Sequence, residues 1–209
     1  MITIRSKSEL EIALEKVEGF REPKIRYEQY RLPTTVVAEV LWYIGLRHKD
    51  LEGRVVADLG CGTGMFTVGA AMMRADYVVG VDIDLQAVGE ARRCAKRFGA
   101  DEVADFVLGN VEHLGLKADV VVQNPPFGVR VREADRAFLR AALDVAPTLY
   151  SVHKGGDDVR RFIVGFVRDC GGKVDELLPL KIKLPPTYQF HKKRFHIFDV
   201  DLYRIVREH

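Results

Sequence analysis

The sequence predicts an α/β domain on a mostly parallel sheet whose last strand is antiparallel, preceded by a helical N-terminal extension. Three observations predict it. After Gly53, short apolar runs alternate with segments of helical periodicity. The first of those runs are apolar almost without a break, as strands buried on both faces are. The last two runs follow each other with no helix between them, so they are expected to pair antiparallel. A chain of 209 residues suits one compact unit, and 47% hydrophobic against 30% charged residues excludes wholesale disorder.

The elements follow in order. Residues 6–18 read as a helix: Ser6 and Glu9 stand at capping-box spacing, and Leu10, Leu14 and Val17 recur at helical intervals. A polar stretch from Arg21 to Arg31 separates it from a second helix, which Pro33 opens and Val36, Val37, Val40, Leu41 and Ile44 make apolar on one side. Strands are expected at Val55–Leu59, Tyr77–Val81, Val103–Leu108, Val120–Val122 and Leu149–Val152. Helices near 65–74, 84–98, 133–145 and 157–170 intervene, the second stopped by Gly99 and the last by Gly171-Gly172. Strands near 173–183 and 195–206 close the chain, separated by Leu184-Pro185-Pro186. The expected division is therefore a helical extension over residues 1–49, covering one end of the core, and a catalytic core over residues 50–209.

Charge excludes little by itself: 32 basic and 30 acidic residues leave a net +2. It is unevenly spread, however. The segment from Lys181 to His209 holds seven Lys or Arg against three acids, with its densest point at His191-Lys192-Lys193-Arg194. Three widely spaced cysteines, Cys61, Cys94 and Cys170, exclude a disulfide scaffold and a zinc ribbon and suit a reducing cytosol. No His spacing suggests a metal site. The opening residues lack the apolar run of a signal peptide, and no stretch nears the roughly 20 apolar residues of a membrane span. The expectation is a cytoplasmic protein with no membrane partner.

Two motifs carry chemistry. Asp58-Leu59-Gly60-Cys61-Gly62-Thr63-Gly64 stands where the first parallel strand turns into a helix, and its glycines permit a tight turn under a closely approaching ligand. Met65 breaks the G-x-G-x-x-G spacing of dinucleotide sites, and no Gly-Lys-Ser/Thr follows, so neither nucleotide pattern is met. Asp82 ends the next strand, where a carboxylate can accept both ribose hydroxyls of an adenosine lying across the strand ends. Asp84 reads as a helix N-cap. The second motif, Asn124-Pro125-Pro126-Phe127, ends the fourth strand and so faces the same crevice. Its composition suits a planar exocyclic amine: the Asn124 oxygen accepts one N–H, the Pro125 carbonyl the other, and Phe127 offers a stacking ring.

The first motif resembles the S-adenosylmethionine-binding loop of class I methyltransferases. That resemblance implies a Rossmann-like seven-stranded sheet with a reversed final strand. It also implies S-adenosyl-L-methionine as cofactor, with contacts from Asp58, Gly60, Gly62, Thr63, Gly64 and Met65, from Asp82 and Ile83, and from Asn110 and Val111 at the adenine. Many members of the class carry Asp where this chain has Asn110. The N-P-P-F motif resembles that of methyltransferases acting on amine or amide nitrogens. With Tyr27-Glu28-Gln29-Tyr30, Ala137-Phe138-Leu139, Tyr150-Ser151-Val152-His153-Lys154 and Phe190-His191-Lys192-Lys193, the chain is similar to the archaeal and eukaryotic ribosomal-RNA adenine-N6 methyltransferases from about residue 20 to 206. The resemblance implies a cofactor contact from Gln29 and, as partner, a small zinc-binding activator protein pairing through a sheet edge. Leu32-Pro33 stands where the family often has Thr-Pro, so a threonine contact does not carry over.

The implied substrate is structured RNA, most simply ribosomal, with His191, Lys192, Lys193 and Arg194 beside Phe190 and Phe195 as phosphate and base contacts. Guanine-N2 methylation of ribosomal RNA and glutamine-N5 methylation of protein use the same amine-gripping motif and are the enzymatic alternatives. A catalytically silent RNA-binding module is the alternative of another class.

Overall fold

The computed structural model describes residues 4–126, 131–184 and 196–208. The assignments at Phe127 and at His191, Lys192, Lys193 and Arg194 lie outside the described residues. Seven strands form one sheet: β1 (Val55–Leu59), β2 (Tyr77–Asp82), β3 (Ala104–Leu108), β4 (Val120–Gln123), β5 (Thr148–Lys154), β6 (Gly172–Leu184) and β7 (His196–Arg207). Their order is β3-β2-β1-β4-β5-β7-β6. The first five strands pair parallel, and β7 runs antiparallel to both β5 and β6. The reversed strand expected from the sequence is thus present, but it lies between β5 and β6, leaving β6 at the edge. The register of β7 against β5 runs from Thr148↔Val206 to Lys154↔Val200.

Helices cover both faces. On one lie α1 (Lys7–Glu15), α2 (Thr34–Trp42), α3 (Met65–Met72) and α4 (Leu85–Phe98); on the other lie α5 (Val131–Val145) and α6 (Asp157–Asp169). The first layer buries Leu10, Leu14, Val37 and Leu41 of the N-terminal region together with Val68 and Val88 against Val56, Val78 and Val122 of the sheet. The second buries Leu139, Ala142 and Ile163 against Val121 and Leu149. Strand side chains alternate between the two layers, which is why β1, β2 and β4 read as nearly unbroken apolar runs. The N-terminal helices complete a face of the sheet, because without them the outer side of α3, buried along its whole length, would meet water.

Local signals behave as their chemistry requires. Ser6 caps α1 by accepting from the Glu9 N–H at 3.2 Å, while the Glu9 carboxylate turns to the Arg5 N–H at 2.8 Å and not to Ser6. Helix α2 continues into a π-helical turn, Tyr43–His48, from which Arg47 donates two bonds of 3.1 Å to Glu176 of β6. Among the described residues no helix is long and apolar enough to cross a membrane.

Candidate active site

Strand order reverses between β1 and its neighbours β2 and β4, so the loops leaving β1 and β4 diverge and open a crevice at the carboxyl ends of the strands. A cavity of about 280 Å³ occupies it. The turn after β1 contributes Gly60, Cys61, Gly62, Thr63 and Met65; β2 ends on Asp82 and Ile83; Asn110 and Val111 follow β3; Asn124 and Pro126 follow β4. Phe138 of α5 and the N-terminal residues Phe20, Gln29 and Tyr30 form the remaining wall. Two motifs separated by more than 60 positions in the chain therefore face one another across a single space.

The glycine turn has its own steric logic. Gly62 has φ +53°, and a Cβ there would stand 2.8 Å from the Phe20 ring, so a side chain is excluded twice over. Gly64, at φ +85°, does not line the cavity; its missing side chain lets the turn pack on Ala91 of α4, which a Cβ would approach to 3.2 Å. The Cys61 thiol is buried, and burial first of all, with the Asp58 and Asp82 charges, raises it well above its ordinary pKa, which makes it a filler and no nucleophile.

Asp58 is buried in β1, ahead of the glycines that follow it. It is 1% exposed, lies beneath the turn and accepts the Thr67 hydroxyl at 2.6 Å, so it supports the loop from below and does not face the cavity. Burial pushes its carboxyl up to about 7, against the lowering by Thr67 and with a further push from Asp82. The folded value exceeds the unfolded value of about 3.9, so the folded state holds this proton more tightly. The stability it contributes is complete below about pH 4 and is lost as pH rises through about 7. Asp58→Asn should therefore flatten the stability curve across that window and melt higher than the parent protein at pH 8. Thermal melts at pH 5 and pH 8 check this; an equal difference between the two proteins at both values would refute it.

Asp82 stands in the cavity wall with each oxygen already oriented: Oδ2 accepts the Gly62 N–H and Oδ1 the Asp84 N–H, both at 2.8 Å. Each oxygen keeps a lone pair for a further donor. Burial raises its carboxyl above the ordinary value, and the two N–H donors oppose that rise. Asp84 caps α4 through the Gln86 N–H at 3.2 Å, as its position in the sequence predicts, but it does more. It pairs with the Lys24 ammonium and accepts the Gln29 Nε2–H at 2.8 Å, tying the N-terminal strap across the strand ends. Although burial opposes its charge, Lys24 and Gln29 hold the Asp84 carboxyl below its usual value. Gln29 lines the cavity, yet its oxygen accepts the Lys24 N–H at 2.9 Å while its nitrogen serves Asp84. Gln29 therefore anchors the N-terminal strap from a position in the cavity wall. Glu28 beside it takes φ +50°, a left-handed turn uncommon for a residue with a side chain, and this delivers Gln29 and Tyr30 inward.

Asn110 is similarly committed. Its oxygen accepts the Glu112 N–H at 3.1 Å and its nitrogen donates to the Glu112 carboxylate at 3.3 Å, so it caps the short turn Val111–His113 at the cavity edge. Asn124 is different. Its Oδ1 accepts the Tyr30 hydroxyl at 3.0 Å, across 94 positions of sequence, and both residues line the cavity. Pro125 behind it is buried, and Pro126 reaches the wall. No motif in the sequence points to Phe20, Tyr30 or Phe138 as wall residues; only the folding of the N-terminal segment over the crevice brings the first two there. Among the described residues no group of three or more His, Cys, Asp or Glu could hold a metal ion.

This donor set fits S-adenosylmethionine: an oriented carboxylate with free lone pairs for vicinal hydroxyls, apolar walls at Ile83 and Val111, and a glycine turn that admits close approach. A parallel sheet with a reversed strand inserted next to its edge, and that crevice over β1 and β4, are the architecture of the class I methyltransferases, and the chain is one. Residues 43–150 match the methyltransferase small domain family. The Danio rerio rRNA N6-adenosine-methyltransferase METTL5 is 36% identical over 202 residues, covering 94% of this chain and 96% of that protein. Protein MJ0284 of Methanocaldococcus jannaschii is 34% identical, covering 95% and 93% respectively. The crystal structure of PH1948 from Pyrococcus horikoshii superposes with a TM-score of 0.89 at 37% identity, covering 99% of this chain and all of that one. The chain belongs to the METTL5 family of rRNA N6-adenosine methyltransferases.

Proposed function

We propose that this protein transfers a methyl group from S-adenosylmethionine to the N6 amine of an adenine in ribosomal RNA, with Asn124 gripping the amine. The observation that carries the reading is the Asn124 carboxamide, presented to the cofactor crevice with its oxygen fixed by Tyr30 at 3.0 Å. Full-length relatives named for this reaction support it.

Asp82 would hold the ribose hydroxyls of S-adenosylmethionine, and the glycine turn would admit the rest of the cofactor. Asn124 Oδ1 accepts one amine N–H and the Pro125 carbonyl the other. Two acceptors in the plane of the base draw the nitrogen lone pair out of conjugation and aim it at the methyl carbon. S-adenosylmethionine would supply the methyl carbon as its S–C bond breaks, and the extra proton would leave N6 for water afterwards, because the Asn124 carboxamide is neutral and no base. Tyr30 holds the plane of Asn124. Its phenol pKa is raised, chiefly by burial, so it stays a donor over the working pH range. Tyr30→Phe should keep cofactor affinity within about twofold and lower turnover roughly three- to tenfold, the worth of one neutral hydrogen bond. Steady-state kinetics with separate kcat and KM for the cofactor check it; an unchanged kcat would remove Tyr30 from the mechanism.

His191, Lys192, Lys193 and Arg194 are the proposed RNA contacts, on the chemistry of clustered cations beside Phe190 and Phe195. The activator partner implied by resemblance is proposed to pair at the open edge strand β3, where Val107 and Leu108 are 44% and 51% exposed. Nucleoside mass spectrometry of ribosomal RNA from a deletion strain tests the substrate. Loss of N6-methyladenosine is expected; loss of N2-methylguanosine in its place, or of methylglutamine in protein, would overturn the adenine reading.

A further inference from the structure

Beneath the Asn124 turn, on the α5–α6 face of the sheet, lies a row of polar side chains that the mechanism above does not use. Gln123, Ser151 and His153 are 0% exposed and Asp135 is 1% exposed. Gln123 Nε2 donates to Ser151 Oγ at 2.9 Å, Ser151 Oγ meets His153 Nε2 at 2.6 Å, and His153 Nδ1 meets Asp135 Oδ1 at 2.7 Å. With a neutral imidazole and the Asp135 carboxylate accepting, Nδ1 carries the hydrogen, so Nε2 accepts from the Ser151 hydroxyl. The Ser151 oxygen is then left to accept from Gln123.

The two ends of the row have special places in the chain. Gln123 is the residue immediately before Asn124. Asp135 is on α5, the helix that resumes after the same stretch. Ser151 and His153 both belong to β5, which pairs with β4 through Gln123↔Ser151. The row therefore joins the entry and the exit of the substrate-gripping stretch through one rigid strand. The surrounding layer is apolar, with Val121, Leu139, Leu149 and Ile163 close-packed on this face. Burying four polar side chains there costs free energy that an apolar quartet would not, and what hydrogen bonds give in return is direction.

We propose that His153 is a positioning residue for methyl transfer, stapling both ends of the Asn124 stretch through Ser151–Gln123 and through Asp135. The inference rests on Asn124 as the amine-gripping group. Its effect is on alignment: the last residue of β4 is held to a single geometry, so the Asn124 oxygen stands where the amine must arrive. Misplacement of a reacting group by about 1 Å can cost about 10²-fold in rate.

The test is single-turnover and steady-state methyl transfer to ribosomal RNA, with cofactor affinity by calorimetry, for Ser151→Ala, Ser151→Thr, His153→Phe and the Ser151→Ala/His153→Phe double variant. Ser151→Ala should lose about tenfold or more in kcat with cofactor affinity within about twofold, and Ser151→Thr, which keeps the hydroxyl, should recover most of it. The double variant should be no slower than His153→Phe alone, as for residues acting as one unit. An unchanged kcat in Ser151→Ala with only a lower melting temperature, or fully additive losses, would overturn the staple. Should Ser151→Ala not fold, Gln123→Met, of similar length without the donor, carries the same expectation. Asn124→Ala measured alongside separates the two readings. If it loses turnover while Ser151→Ala does not, the grip stands and the staple falls; if neither loses turnover, both fall.

Discussion

Asn124→Ala is expected to cut methyl transfer by about 10²-fold or more while S-adenosylmethionine binds with nearly unchanged affinity, the signature of losing an oriented polar group that acts at the reacting centre. The carboxamide offers the amine an acceptor that Ala lacks, and the Tyr30 hydroxyl loses the 3.0 Å bond it donates to Asn124. Asp82 and the glycine turn, the proposed cofactor holders, are built from other elements and keep their own bonds. Calorimetry for the cofactor and single-turnover kinetics for transfer check the two halves separately. An Ala variant that methylates RNA at near-parental rate would mean that the amine is held elsewhere.

Asp82→Ala carries the largest expected effect on cofactor affinity. A carboxylate accepting two ribose hydroxyls makes charge-assisted bonds of roughly 1.5–3 kcal/mol each, so losing them should weaken binding by about tenfold at the least. The same substitution also frees the Gly62 N–H, which loosens the turn that the cofactor approaches. Asp84→Ala should weaken binding less, because Asp84 acts on the cavity only through Lys24 and Gln29 of the strap. Titration calorimetry of the two variants decides between them. A larger loss at Asp84 than at Asp82 would show that strap closure, and not the carboxylate at the end of β2, dominates affinity.

Much of this site was legible in the chain because its parts are local. The turn from Asp58 to Gly64 and the run from Asn124 to Pro126 are each set by a strand end followed by residues with few backbone options, and strand ends in a parallel sheet share one side of the molecule. Asp82 was readable for the same reason. Which neighbours these motif residues meet was not legible: Asp58 accepts from Thr67, Gln29 donates to Asp84, Asn110 bonds Glu112, and Gly64 packs near Ala91. Motif membership gives proximity to a ligand; it does not say which way a side chain turns or which neighbour claims it first.

Sequence by itself determined the alternation of strands and helices, the parallel core, the reversed strand and the two facing motifs, because all of these follow from apolar periodicity, turn residues and the handedness of crossovers. Only the tertiary structure decided that β7 lies between β5 and β6, that Lys24 and Gln29 lock a strap onto Asp84, and that Tyr30 reaches Asn124 across 94 positions. It alone brought Asp135, His153, Ser151 and Gln123 into one buried row. The physical reason is that these contacts join residues far apart in the chain. Their partners are selected by packing of whole layers, and no spacing rule within a single segment encodes which distant hydrogen-bonding group will arrive.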